Sequence, residues 1–83
     1  MSKKNQDQNR LAAEMRVKKW FGKEQDFQEA RKAAIELHLK IRKKFNEGDY
    51  FFRLALYPKM EEASKQVMEY NQAFEDLRLL GRI

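Results

Sequence analysis

The stretch that decides the fold spans residues 60–77 and reads MEEASKQVMEYNQAFEDL. Its apolar residues recur at alternating steps of three and four: Met60, Ala63, Val67, Tyr70, Phe74 and Leu77. Because an α-helix turns once in about 3.6 residues, this spacing places all of these side chains in one narrow stripe. A stripe of this kind is typical of a helix that packs lengthwise against another helix.

An earlier segment carries a matching stripe with the same steps: Phe27, Ala30, Ala34, Leu37 and Ile41. Two such stripes in 83 residues predict a long antiparallel helical hairpin, and therefore an all-α fold, a small helical bundle. The predicted core consists of Phe27, Leu37, Ile41, Val67, Phe74 and Leu77.

The first half of the chain divides into a tail and two helices. Residues 1–8 are polar and without periodicity, which predicts a disordered tail, and residues 9–83 form a single helical domain. A short N-terminal helix is expected from about residue 9 to residue 21, where Gly22 can adopt the left-handed conformation that ends a helix. The second helix is expected to begin at Asp26, with Glu29 completing a reciprocal capping pair, and to end near Asn46.

The second half contains the only proline of the chain. Asp49 is expected to cap a short aromatic helix over residues 50–57, which closes the end of the core or, alternatively, stacks bases with Arg53 alongside. Pro58 then marks a bend and begins a new helix. One long helix kinked at Pro58 is the alternative, because Leu56 is in phase with Met60. Gly81 ends the helix in either case.

Composition limits the class of protein. There is no cysteine, which excludes disulfides, thiolate metal sites and thiol catalysis. No apolar run approaches the roughly 18 residues of a membrane-spanning helix, and no apolar stretch follows the first lysines as in a secretory signal. We expect a soluble cytoplasmic protein that does not insert into a membrane.

Residues that could carry catalysis are few. His38 is the only histidine, and it falls on the apolar stripe of its helix, which favours a packed residue at the edge of the core. The neighbouring carboxylates at 61 and 62, and at 75 and 76, point about 100° apart on a helix and lie in polar stretches. Ser64 has no base at helical spacing. We expect no enzymatic activity, no metal site, no cofactor and no small-molecule substrate.

The net charge of +5 is unevenly distributed. Residues 1–44 hold 13 Lys and Arg against 6 Asp and Glu, whereas residues 45–83 hold 5 against 7. A basic face on the first two helices could bind the phosphates of a nucleic acid. The residues that would do so are Arg31, Lys32, Lys40, Arg42, Lys43 and Lys44. Local pairing of Glu36 with Lys32 and Lys40 is the simpler interpretation.

Apolar residues outside the two stripes are the best indication of function. Ile35 and Leu39 form a second stripe on the second helix, and Met68 and Leu79 do so on the last helix. A two-helix hairpin leaves them exposed, so we expect them to face a partner. The sequence therefore predicts a non-enzymatic helical protein-interaction module. It would be a homo-oligomer, such as a homodimer, acting as an adaptor or regulator of a larger protein. Its first helix would pack across the hairpin or exchange with a neighbouring copy. The alternative function is nucleic-acid association through the basic residues. A third option is a peripheral membrane protein whose first helix, with Trp20 and Phe21 beside lysines, lies on an anionic membrane.

Overall fold

A computed structural model describes residues 3–83, and side chains from residue 7 onward. It contains helix α1 (Lys3–Val17), a single 3₁₀ turn (Lys18–Trp20), helix α2 (Glu24–Glu47) and helix α3 (Tyr50–Leu79). Residues 3–83 contain no β-strand. The predicted all-α fold is confirmed.

Helices α2 and α3 form the predicted antiparallel hairpin. At one end, the Arg82 guanidinium donates to Glu24 Oε1 at 3.1 Å, and at the other the rings of Phe45 and Tyr57 are 6.5 Å apart. The stripe on α3 lies in the interface, fully or partly buried along its whole length: Met60, Ala63, Val67, Tyr70, Phe74 and Leu77.

The stripe on α2 differs from the predicted one by a single position. Leu37, which was expected in the core, is 49% exposed, and His38 is partly buried in its place. His38 lies within roughly 20° of Phe27 and Phe45 around the helix, whereas Leu37 lies roughly 80° from both. Because neighbouring residues on a helix point about 100° apart, packing of Phe45 at the end of α2 turns Leu37 outward.

Helix α3 runs uninterrupted through Pro58, so the predicted new helix at this residue is wrong and the single long helix is correct. Proline removes one backbone hydrogen bond from the helix. Pro58 is exposed, and so is Leu54, whose carbonyl lies one turn earlier and loses that bond. Water can therefore hydrate the unpaired carbonyl. Asp49 caps α3 as predicted, its Oδ1 accepting from the Phe52 amide at 2.8 Å.

The first helix is longer than the sequence indicated. Helix α1 begins at Lys3 rather than near residue 9, so residues 3–8, predicted to be a disordered tail, are helical, and residues 1 and 2 lie outside the described part of the chain. Ala13 and Val17 are buried where α1 packs against α3. Within the described residues α1 does not pack against α2, so α3 is the middle helix of the three.

The predicted capping pair of Asp26 and Glu29 is absent, because α2 begins two residues earlier than expected. Glu24 Oε1 instead accepts from the backbone amide of Gly22, whose φ of +79° is the predicted left-handed turn. The C-terminal end of α3 behaves as expected. Gly81 has a φ of +72°, and the Arg82 amide donates to the Leu77 carbonyl at 2.9 Å. This is the Schellman arrangement, which satisfies carbonyls at the end of a helix.

The core is small. Val17, Phe27 and Leu77 are its fully buried large side chains, one from each helix. Partly buried apolar side chains surround them: Trp20, Phe21, Tyr70, Ala73, Phe74 and Leu80. A cluster of this size makes each buried residue a large fraction of the stability of the domain.

A leucine-to-alanine pair tests this assignment. Leu77→Ala should lower the free energy of unfolding by about 2–5 kcal/mol, because it leaves a cavity among fully buried side chains. Leu37→Ala should lower it by less than about 1 kcal/mol, because the side chain is half exposed. Urea denaturation followed by circular dichroism measures both. Equal losses would contradict the α2 register described here.

Candidate interaction surface

One long side of the hairpin is not covered by α1. Arg31 Nε on α2 donates to Asn71 Oδ1 on α3 at 3.1 Å across this side. Ile35 lies one turn after Arg31, and Met68 lies about one turn before Asn71. Since the two helices run antiparallel, both residues lie on the same face of the hairpin as this hydrogen bond. Leu39 follows one turn after Ile35. We call this the open face: Arg31, Ile35, Leu39, Met68 and Asn71.

The open face carries three of the four residues predicted to meet a partner, and the fourth lies beyond it. Leu39 and Met68 are 58% and 69% exposed, whereas Ile35 is partly buried. Leu79 is exposed two turns past Asn71 on α3. Helix α1 packs on another side of α3, where Arg16 bonds Asp76. The hairpin therefore leaves Leu39, Met68 and Leu79 in water, as the sequence indicated, and covers part of Ile35.

A second exposed apolar region lies at the closed end of the hairpin. Five large side chains of the first turns of α3 are 44–77% exposed, and we call them the aromatic tip: Tyr50, Phe51, Phe52, Leu54 and Tyr57. The expectation that this segment closes the core is wrong. Arg53 occupies the end of α2 instead, where its guanidinium donates to the carbonyls of Phe45 and Asn46, each at 3.1 Å. The polar group closes the corner, and the aromatic side chains are left outside it.

The basic residues predicted for nucleic-acid binding have different surroundings. Arg31 bonds Asn71 and lies 4.4 Å from the centre of the Phe74 ring, so its side chain supports the hairpin. The other five are exposed: Lys32, Lys40, Arg42, Lys43 and Lys44. The expected pairs of Glu36 with Lys32 and Lys40 are not formed in this part of the described chain.

A groove lies between the end of α1 and α3, with a volume of about 520 Å³. Trp20 and Tyr70 line one part of it, with their ring centres 6.4 Å apart. Arg16 and Asp76 line the other, joined by two hydrogen bonds of 2.9 Å each. Gln72 donates a further hydrogen bond to Asp76 Oδ1 at 3.2 Å. Arg16, Gln72 and Asp76 are thus bonded to one another, which suits a structural role in holding α1 against α3.

Asp76 is the one charged residue that is buried in the described chain. The bidentate hydrogen bond from Arg16 lowers the pKa of Asp76, although burial acts in the opposite direction. The same contact raises the pKa of Arg16. The pair is therefore ionised at neutral pH. It links α1 to α3 through two residues that are 60 positions apart in sequence. No periodicity in the sequence marks this pair, since its two members lie on helices far apart in the chain.

His38 lies in a shallow cleft between α2 and α3, beside Arg42, Met60 and Ser64. It is partly buried, as its helical phase predicted. Among the residues searched, no three His, Cys, Asp or Glu side chains come together in a way that could hold a metal ion. None of the helices in the described part of the chain is long and apolar enough to cross a membrane.

An aspartate-to-asparagine pair tests the link between α1 and α3. Asp76→Asn should lower the free energy of unfolding at neutral pH, because it removes the charge that binds Arg16, whereas Asp26→Asn on exposed surface should have little effect. A carboxyl with a lowered pKa in the folded state stabilises the fold fully above its unfolded pKa of about 3.9. That contribution disappears as the pH falls through the lower folded value.

The wild type should therefore lose more stability than Asp76→Asn between about pH 5 and about pH 2. Denaturant titrations across this range measure the difference. Parallel pH profiles for the two proteins would contradict an ionised, stabilising Asp76.

No protein-family model, no curated protein and no solved structure matches this chain.

Proposed function

We propose that this protein is a non-enzymatic helical interaction module that pairs with a second copy of itself through the open face. The observation that supports this most is the amount of surface the single chain leaves in water. Its accessible surface is 6682 Å². A compact monomer of 10.0 kDa is expected to expose about 5,200 Å².

The extra surface follows from the arrangement of the helices. The radius of gyration is 16.7 Å, against about 12 Å for a compact chain of this length. The Cα atoms extend over 53 × 27 × 16 Å, which is an elongated and thin shape. A layer of helices is stable when another layer covers its apolar side. The open face of this hairpin has no such cover among the residues that the structure describes.

A second copy suits the size of the uncovered surface. The excess over a compact monomer is roughly 1,500 Å², and a standard interface buries about 800 Å² on each partner. A twofold dimer uses the same patch on both copies, so one apolar face is sufficient. Leu39 and Met68 are the residues with the most apolar surface to bury there. Such a dimer would serve as an adaptor or regulator of a larger protein.

Two leucines with the same exposure give a matched test. Leu39→Asp should weaken dimerisation by about tenfold or more, because it buries a charge in the apolar contact, and helicity by circular dichroism should be unchanged. Leu11→Asp on α1 is the control, since Leu11 is 59% exposed and Leu39 58%. Sedimentation equilibrium over a range of concentrations measures the association.

Two results would count against the proposal. A wild-type chain that stays monomeric at every concentration contradicts self-association. Equal weakening by the two substitutions shows that the open face is not the contact. Binding of a DNA or RNA oligonucleotide that falls as a steep power of salt concentration, lost on replacing Lys40, Lys43 and Lys44, would instead support the nucleic-acid alternative.

A further inference from the structure

The aromatic tip lies in one of two basic parts of the chain. Residues 42–59 hold five Lys and Arg and two acidic residues, a net charge of +3, and residues 3–23 hold seven Lys and Arg and two acidic residues, a net charge of +5. One of the two acids, Asp49, caps the helix of the tip itself. The nearest acids beyond this segment on α3 are Glu61 and Glu62, about a turn past the tip, and a hydrogen bond to Glu61 raises the pKa of Tyr57 at the edge of the tip. Positive charge and exposed apolar surface therefore coincide.

The cations around the tip are accessible. Arg53 is occupied with the carbonyls at the end of α2. The other four, Arg42, Lys43, Lys44 and Lys59, are exposed, and none of them forms an ion pair in the described chain. Lysines at the end of α2 also lie beside the negative end of the helix dipole, which stabilises their positive charge.

The shape of the tip limits what can cover it. Tyr50, Phe51 and Phe52 are consecutive on a helix, so their side chains point in three directions about 100° apart. Leu54 lies between Tyr50 and Phe51 around the helix, and Tyr57 lies one turn beyond Leu54, so these side chains share one side of α3 while Phe52 points elsewhere. A flat apolar surface can cover that side, and a fluid one can also surround Phe52.

From the charge and this shape we infer that the aromatic tip docks on the surface of an anionic lipid bilayer. Phe51 and Leu54 enter the boundary between headgroups and acyl chains, and the tyrosine hydroxyls of the tip stay at headgroup level. The four exposed cations contact anionic headgroups, each contributing attraction near the surface. The hairpin then stands on the membrane by one end without crossing it, which leaves the open face free for a second copy.

Vesicle co-sedimentation with the full chain tests the inference. The protein should bind vesicles of phosphatidylcholine and phosphatidylserine, and bind vesicles of phosphatidylcholine alone much more weakly. Phe51→Ser with Leu54→Ser should lower the partition coefficient by about tenfold or more, because it removes apolar surface that enters the bilayer. Leu11→Ser with Met15→Ser is the control, since both residues are exposed on α1 and lie outside the tip.

A charge pair separates attraction at the tip from attraction by the whole molecule. Lys43→Gln with Lys44→Gln should weaken binding by about 25-fold, at about fivefold for each lysine. Lys18→Gln with Lys19→Gln removes the same charge beside α1 and should weaken binding by less than about threefold, since charges farther than a Debye length are screened.

Fluorescence shows whether the tip itself enters the lipid. Trp20, the only tryptophan, contacts Tyr70, which is roughly 28 Å along α3 from Phe51. Phe51→Trp in a Trp20→Phe background should shift its emission to the blue on anionic vesicles. The emission of Trp20 in the natural chain should not change.

Three results would overturn the inference: no binding to anionic vesicles at low salt, equal weakening by the tip and control substitutions, or tip residues required for a single-stranded oligonucleotide but not for vesicles. The oligomeric state of each tip variant is measured in parallel. Dimerisation that persists when vesicle binding is lost separates this inference from the proposed function.

Discussion

The whole arrangement depends on the packing of one helix, α3, against both of the others. Its stripe faces α2, and a different side, which carries Ala73 and Asp76, faces α1. The three fully buried side chains, Val17, Phe27 and Leu77, meet where these two contacts come together. Because α1 and α2 do not pack against each other in the described chain, the helices never close into a bundle with an enclosed centre. The exposed apolar surface is a direct consequence.

Two different kinds of force hold the two sides of α3. The contact with α2 is long and mostly apolar, so it depends on many weak contacts that add up. The contact with α1 is short and relies on Ala13, Val17 and the pair of Arg16 with Asp76. A buried carboxylate without its partner is costly, so this pair fixes the position of α1 as well as its attachment. An apolar residue in place of Asp76 could pack there but would not select Arg16.

The sequence predicted the features that repeat and missed those that depend on a single contact. The α3 stripe and the caps at Asp49 and Gly81 could be read from the residues, because helical spacing and backbone preferences are local properties. The register of α2 could not be read in this way, because Leu37 and His38 both continue the apolar pattern. Only the packing of Phe45 decides which of the two faces α3. The aromatic tip was misplaced for a similar reason. Its composition resembles that of a core segment. Its exposure follows from one specific contact, the hydrogen bonds of Arg53 to the end of α2.

The hydrogen bonds of Arg53 also bear on the order in which the chain folds. They join residues seven and eight positions apart, whereas the bonds of Arg16 to Asp76 close a loop of 60 residues. The entropy lost on closing a loop increases with its length, so the turn between α2 and α3 can form early and at little cost. The hairpin then grows from that corner toward Phe27 and Leu77 by contacts between progressively more distant residues. Docking of α1 is expected to follow, because the bonds of Arg16 to Asp76 close the longest of these loops.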